Sequence, residues 1–393
     1  MTTCALMTVL IALSLGDSRR RALRTLMAFM VAATLLYAGH YIFFGRALWL
    51  VPFSDTIYVT ANLAVYPLYL IYIRELTASR DVRYLLLLLP ALIGGTATGT
   101  LYALMTPEQT QQFVSGYLYG NATAPLSGLP QLQAMVHSAC KVTFAALVVY
   151  VAVSGLRLIR RYNRLVNEQY ADTEGKTLSS IRILLWLVTM TALASFVANA
   201  IGRQCFTASP LLLTIPSLLF STLLFAIGYT GLRCEFSIKD VESEGTLSPT
   251  PSTHNDTPST VNATPSTVND TPSTINPTPA ATLTERIRQY VSDNRIYLQP
   301  NLKLNDLARQ LGTNRTYINQ SINGEMGITF SEFINRQRIQ YAEQMARENP
   351  QLPISELATM AGFSSLSSFY RNLQQFRSPQ SPLSERRRAN ARQ

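Results

Sequence analysis

Long apolar runs crowd the first 233 residues and then stop. They fall at 3–16, 25–44, 49–73, 84–105, 134–155, 183–201 and 211–232. About 20 apolar residues cross a bilayer as a helix, and in lipid a segment of this kind must close all its backbone hydrogen bonds within itself. Seven membrane-spanning helices are therefore the expectation. The run at 3–16 falls short of that length. It reads as a span, as a clipped or misassigned start, or as a signal-like segment, although no basic residues precede it.

Composition supports a divided chain. Apolar residues make up 47% and charged residues 14%, against about 25% charged in an ordinary soluble protein. The charges sort by loop. Arg19, Arg20, Arg21 and Arg24 follow the first run; Arg74, Arg80 and Arg83 follow the third; Arg157, Arg160, Arg161, Arg164, Lys176 and Arg182 follow the fifth. The alternate loops hold only Arg46 and Arg203. Basic loops stay on the cytoplasmic side, which places the C-terminal part of the chain in the cytoplasm and, with seven spans, the N-terminus outside. The four cysteines form no CxxC pair and no zinc-type spacing with histidine, so neither a metal site nor a disulfide framework is expected.

Within the runs, His40, His137 and Lys141 stand out, because ionisable groups are costly in lipid and often functional. His137 and Lys141 are four residues apart and share one helix face. The expected topology puts all three in the outer part of the membrane. They read either as a site for a polar or anionic small molecule arriving from outside, or as side chains that snorkel to headgroups and bond between helices. The outer loop 106–133 carries one charge, Glu108, and is long for a passive connection. It reads as a lid or as an exposed turn region. The runs contain no catalytic constellation, so an enzyme is not expected.

Residues 246–282 are Thr, Pro, Ser and Asn with little else. A seven-residue repeat runs through them: TPSTHND (250–256), TPSTVNA (257–263), TPSTVND (264–270) and TPSTINP (271–277). One proline per repeat rules out a coiled coil. Such a segment buries no core and stays extended; about 40 flexible residues span roughly 35 Å. A tether of this kind transmits no torque. Signals must then act through dimerisation, sequestration of the tail or its proteolytic release.

The tail, 283–393, reads as helices. Leu304, Leu307, Ala308 and Leu311 form one apolar face; Gly312 breaks the helix; Asn314 caps a second, with Tyr317, Ile318, Ser321 and Ile322 inward and Arg315, Thr316, Asn319 and Gln320 outward. Fifty residues on, the pattern returns. Ile354, Leu357, Ala358 and Ala361 form the face, Gly362–Phe363 the turn, and Ser364 or Ser365 the cap. Phe369, Leu373 and Phe376 point inward; Ser367, Ser368, Tyr370 and Arg371 point outward. A longer helix carrying Phe330, Phe333, Ile334, Ile339, Tyr341, Ala342 and Met345 joins the two. Two helix-turn-helix units on a rigid connector suit two successive major grooves.

The stretches LNDLARQLG (304–312), GITFSEFINRQRIQYA (327–342), ISELATMAGF (354–363) and SSFYR (367–371) resemble the AraC/XylS family of transcription regulators over residues 283–388. By position, that resemblance puts base reading on Thr316, Asn319 and Gln320 and on Ser367, Ser368 and Arg371, with Asn or Gln suited to adenine and Arg to guanine. Arg315, Arg336, Arg338 and Arg377 are the candidates for DNA phosphates. The closing run LQQFRSPQSPLSERRR (373–388) departs from the family in lacking lysines and glycine. Arg386, Arg387 and Arg388 read there either as further phosphate contacts or as a frayed basic tail. The resemblance implies promoter DNA and RNA polymerase as partners and action as a homodimer; no cofactor is expected, and the apolar runs with their loop charges place the chain in the bacterial cytoplasmic membrane.

The expected fold class is all-α: a polytopic helical membrane domain (1–233), a disordered linker (234–282) and a soluble double helix-turn-helix domain (283–393). The expected function is a membrane-anchored, sequence-specific DNA-binding transcription regulator. The alternative is a transporter or receptor with a regulatory helix-turn-helix appendage.

Overall fold

The computed structural model describes residues 2–14, 20–77, 82–120, 125–201, 210–234, 282–376 and 383. The heptapeptide repeats, Arg19, Arg80, Arg203, Arg377 and Arg386–Arg388, and the end of the run at 3–16 lie outside the described residues. The protein is all-helical, as expected from its periodicities. Its backbone divides into two compact units: Met1–Arg164 with Gly175–Lys239, and Leu165–Glu174 with Asp240–Gln393.

The first unit holds α1 (Thr2–Leu13), α2 (Arg20–Phe44), α3 (Val51–Thr77), α4 (Leu89–Leu104), the short α5 (Pro107–Gln112), most of α6 (Leu129–Gln169), α7 (Ser179–Ile201) and α8 (Pro210–Arg233). Four helical stretches are long and apolar enough to cross a membrane: Arg21–Phe44, Leu48–Thr77, Arg83–Leu104 and Leu129–Gln169. Thr2–Leu13, Ser179–Ala194 and Ser217–Arg233 are apolar but shorter within the described residues. Each of the seven expected runs is helical where it is described, and among the described residues four have spanning length.

Small residues bring these helices close. A Cβ on Gly95 would fall 2.0 Å from Thr60 Oγ1, and one on Gly231 would fall 2.3 Å from Leu26 Cδ2. Close approach at small residues is also how helices pack where apolar burial gives no advantage, as in lipid. The outside of the unit is correspondingly greasy: Leu86, Leu92, Ile93, Val142, Val149, Ile183 and Leu218 are all exposed.

The second unit contains α9 (Leu283–Asp293), α10 (Leu304–Gln310), α11 (Arg315–Asn319), α12 (Phe330–Glu348), α13 (Ile354–Met360) and α14 (Leu366–Phe376). Two hydrophobic cores lie along α12. One gathers Ile287, Leu307, Ile318, Ile322, Phe330 and Ile334; the other gathers Ile339, Leu357, Ala361, Phe363, Phe369 and Leu373. Tyr341 packs against both. One helix therefore serves as the spine of both halves, which fixes the half-to-half geometry.

Candidate nucleic-acid interface

In the first half, α10 ends at a turn where Gly312 sits at φ 62°, with open space around it. Asn314 caps α11 by accepting from the Thr316 N–H at 2.9 Å, satisfying a donor that the helix start leaves unpaired. The reader helix is only Arg315–Asn319 and continues as a wider turn, Gln320–Glu325. Ile318, Ser321 and Ile322 are buried. Thr316 and Gln320 are exposed and Asn319 is half-buried, which leaves the three expected readers on the accessible side. Tyr317 is a correction: it is 60% exposed rather than inward. The inward arc is already filled by Ile318 and the two residues one turn on.

The second half repeats this geometry under a tighter constraint. Gly362 has φ 81°, and a Cβ there would lie 2.5 Å from the Leu298 carbonyl oxygen. Only glycine lets the turn approach that backbone. Ser365 is the cap, accepting from the Ser368 N–H at 3.0 Å. On α14, Phe369 and Leu373 are buried, whereas Ser367 and Arg371 are exposed. Ser368 departs from the expectation. It is 4% exposed, because the buried arc runs through Ser368, Phe369 and Leu373, and its hydroxyl does not face a base.

Among the phosphate candidates, Arg315 is half-buried and Arg336 exposed. Arg336 bonds Glu332 one turn earlier at 2.5 Å and lies near the Phe376 ring, 5.5 Å from its centroid. Arg338 is a second correction. It has no exposed surface. Its Nε donates to the Tyr297 carbonyl at 2.6 Å and its NH2 group to the Gln299 carbonyl at 2.7 Å, and the guanidinium sits 5.4 Å from the Phe363 ring centroid. Burial holds its pKa down to about 10, against the opposing field of Asp172. Arg338 thus ties the turn before α10 to the turn of the second half. It sets the spacing of the readers instead of meeting DNA.

Among the described ionisable residues of the first unit, His137 and Lys141 meet through Tyr117. His137 is buried and pairs with Asp55, Nε2 to Oδ2 at 2.8 Å, while its Nδ1 lies 3.0 Å from the Gln133 carbonyl. The same Asp55 oxygen accepts from the Tyr102 hydroxyl at 2.8 Å. Lys141 donates to the Tyr117 hydroxyl at 3.3 Å, and Tyr117 stacks on Phe113, which is edge-tilted to the His137 ring at 5.2 Å. His40 packs edge-on against Tyr58, and its Nδ1 lies 3.0 Å from the Leu36 carbonyl.

The loop at 106–133 is largely folded. Thr106 and Gln109 form a reciprocal capping box on α5, and Phe113 and Val114 enter a core with Val51, Leu101 and Met105. The Asp55–His137 pairing has no sequence signal, since the partners are 82 residues apart. The capping box does have one, in Thr106-Pro107-Glu108-Gln109.

Comparison with known families matches residues 307–387 to one described as a helix-turn-helix domain. No curated protein and no solved structure matches the chain. The match covers the reader helices of both halves and the helix that joins them. Over residues 307–387 the chain is similar to helix-turn-helix domains, which supports a DNA-binding role in transcription regulation.

Proposed function

We propose that the chain is a membrane-anchored transcription regulator: the first unit lies in the bacterial cytoplasmic membrane and the helix-turn-helix domain reads promoter DNA in the cytoplasm. The observation that carries this reading is the presence, on one polypeptide, of four helices of spanning length and a paired helix-turn-helix with accessible reader faces. Thr316, Asn319 and Gln320 read bases in one major groove; Ser367 and Arg371 read them in the next. Arg315, Arg336 and Arg377 hold phosphates and fix register. The chain acts as a homodimer on paired sites and contacts RNA polymerase.

The Asp55–His137–Tyr102 network, with Lys141 and Tyr117 beside it, is the place in the first unit best suited to a polar small molecule from outside. The clustering of a buried His137 with half-buried Asp55 and Tyr102 supports that reading.

The test is genome-wide crosslinking of the tagged full-length protein to DNA, paired with membrane fractionation of the same cells. Enrichment at discrete promoters, with the protein in the membrane fraction, is the expected result. Uniform recovery of DNA sequences would remove the regulator reading, and a wholly soluble full-length protein would remove the anchor.

A further inference from the structure

The second unit includes a segment far from the rest of it in sequence, Leu165–Glu174. This segment is built into the domain. Tyr170 bridges antiparallel to Lys303, and the Ala171 N–H donates to the Leu302 carbonyl at 3.0 Å. The Ala171 carbonyl accepts from Asn335 Nδ2 at 2.8 Å and from Ser331 Oγ at 3.1 Å. Its methyl group is fully buried in the core of the first half.

The segment's two carboxylates then reach the second half: Asp172 takes the Ser364 hydroxyl and Glu174 takes that of Ser365. Those serines immediately precede α14. A helix start gathers unpaired N–H groups and partial positive charge, and is a natural seat for a phosphate.

We propose that Leu165–Glu174 is an autoinhibitory latch whose carboxylates occupy the seat of a DNA phosphate at the start of the second reader helix. This rests on the DNA-binding reading. Latched, the domain engages DNA through α11 alone. Withdrawal of the segment frees Ser364 and Ser365, removes two negative charges from the approach of the phosphate backbone, and admits α14 to the adjacent groove.

The test uses the full-length protein in detergent and duplexes selected by it from a random-sequence pool. The double variant D172N/E174Q removes the charges and leaves every residue of the reader helices in place. It is expected to bind the selected duplexes at least tenfold more tightly, with protection from nuclease extended by one helical turn, about 10 base pairs. A second variant, D172C/S364C in a background without the native cysteines, locks the latch on oxidation. Its extended footprint is expected to shorten when oxidised and to return on reduction. Sequence-specific binding that responds to neither change overturns the latch alone. Absence of any sequence preference in every form overturns the DNA-binding reading and the latch with it.

Discussion

Arg338 donates to the Tyr297 carbonyl across 2.6 Å, in a position with no exposed surface. The bond fastens the middle of α12 to the turn that precedes the first helix-turn-helix. Removing it leaves the buried Tyr297 carbonyl and the part-buried contact at the Gln299 carbonyl without their donor. An orphaned buried acceptor costs about 1–3 kcal/mol. R338M is therefore expected to lower stability by about 3 kcal/mol, read as lost hydrogen-exchange protection in α12–α14. R338K is expected not to restore it, since one ammonium cannot span both carbonyls as the planar fork does.

The two turn glycines separate backbone strain from steric contact. Gly312 has positive φ but open surroundings, whereas Gly362 has positive φ and a carbonyl 2.5 Å from where a Cβ would stand. G312A is expected to cost about 1 kcal/mol. G362A, which must also displace Leu298, is expected to cost clearly more. Denaturant midpoints of the two variants side by side give the order, and equal costs would contradict the close approach.

Specificity is expected to reside in Asn319 and Arg371. Each good bidentate contact to a base is worth about 1–3 kcal/mol. N319A and R371A should each weaken binding to selected duplexes by about tenfold or more while leaving binding to scrambled duplexes nearly unchanged. S368A, at a buried position, should leave discrimination intact. Gel-shift titrations on both duplex sets check all three.

Arg336 is expected to act through charge alone. R336A should weaken selected and scrambled duplexes alike, and lower the slope of log affinity against log salt by about 1. A loss confined to selected duplexes would make Arg336 a base reader.

How far the sequence discloses this molecule depends on the range of the interaction. The apolar faces at 304–311 and 354–361 and the caps at Asn314 and Ser365 were legible, because helix period and capping act over a few residues. Arg338 misled, since an arginine in a basic domain looks like a phosphate ligand until the two halves close over it. Ser368 misled by one residue of helical phase. Asp55 with His137, and Ala171 with Asn335, join residues 82 and 164 positions apart. Nothing local in the sequence marks either pair. The segment 165–174 carries no local mark of its docking for the same reason.

The docking of Leu165–Glu174 within the second unit also fixes how its grip scales with abundance. Both parties belong to one polypeptide, so they meet at a local concentration set by chain length, commonly millimolar, and synthesising more copies does not change it. Titration by overexpression cannot open such a contact. A cell can release it only by altering the molecule itself, and basal output per copy stays constant while the number of copies drifts.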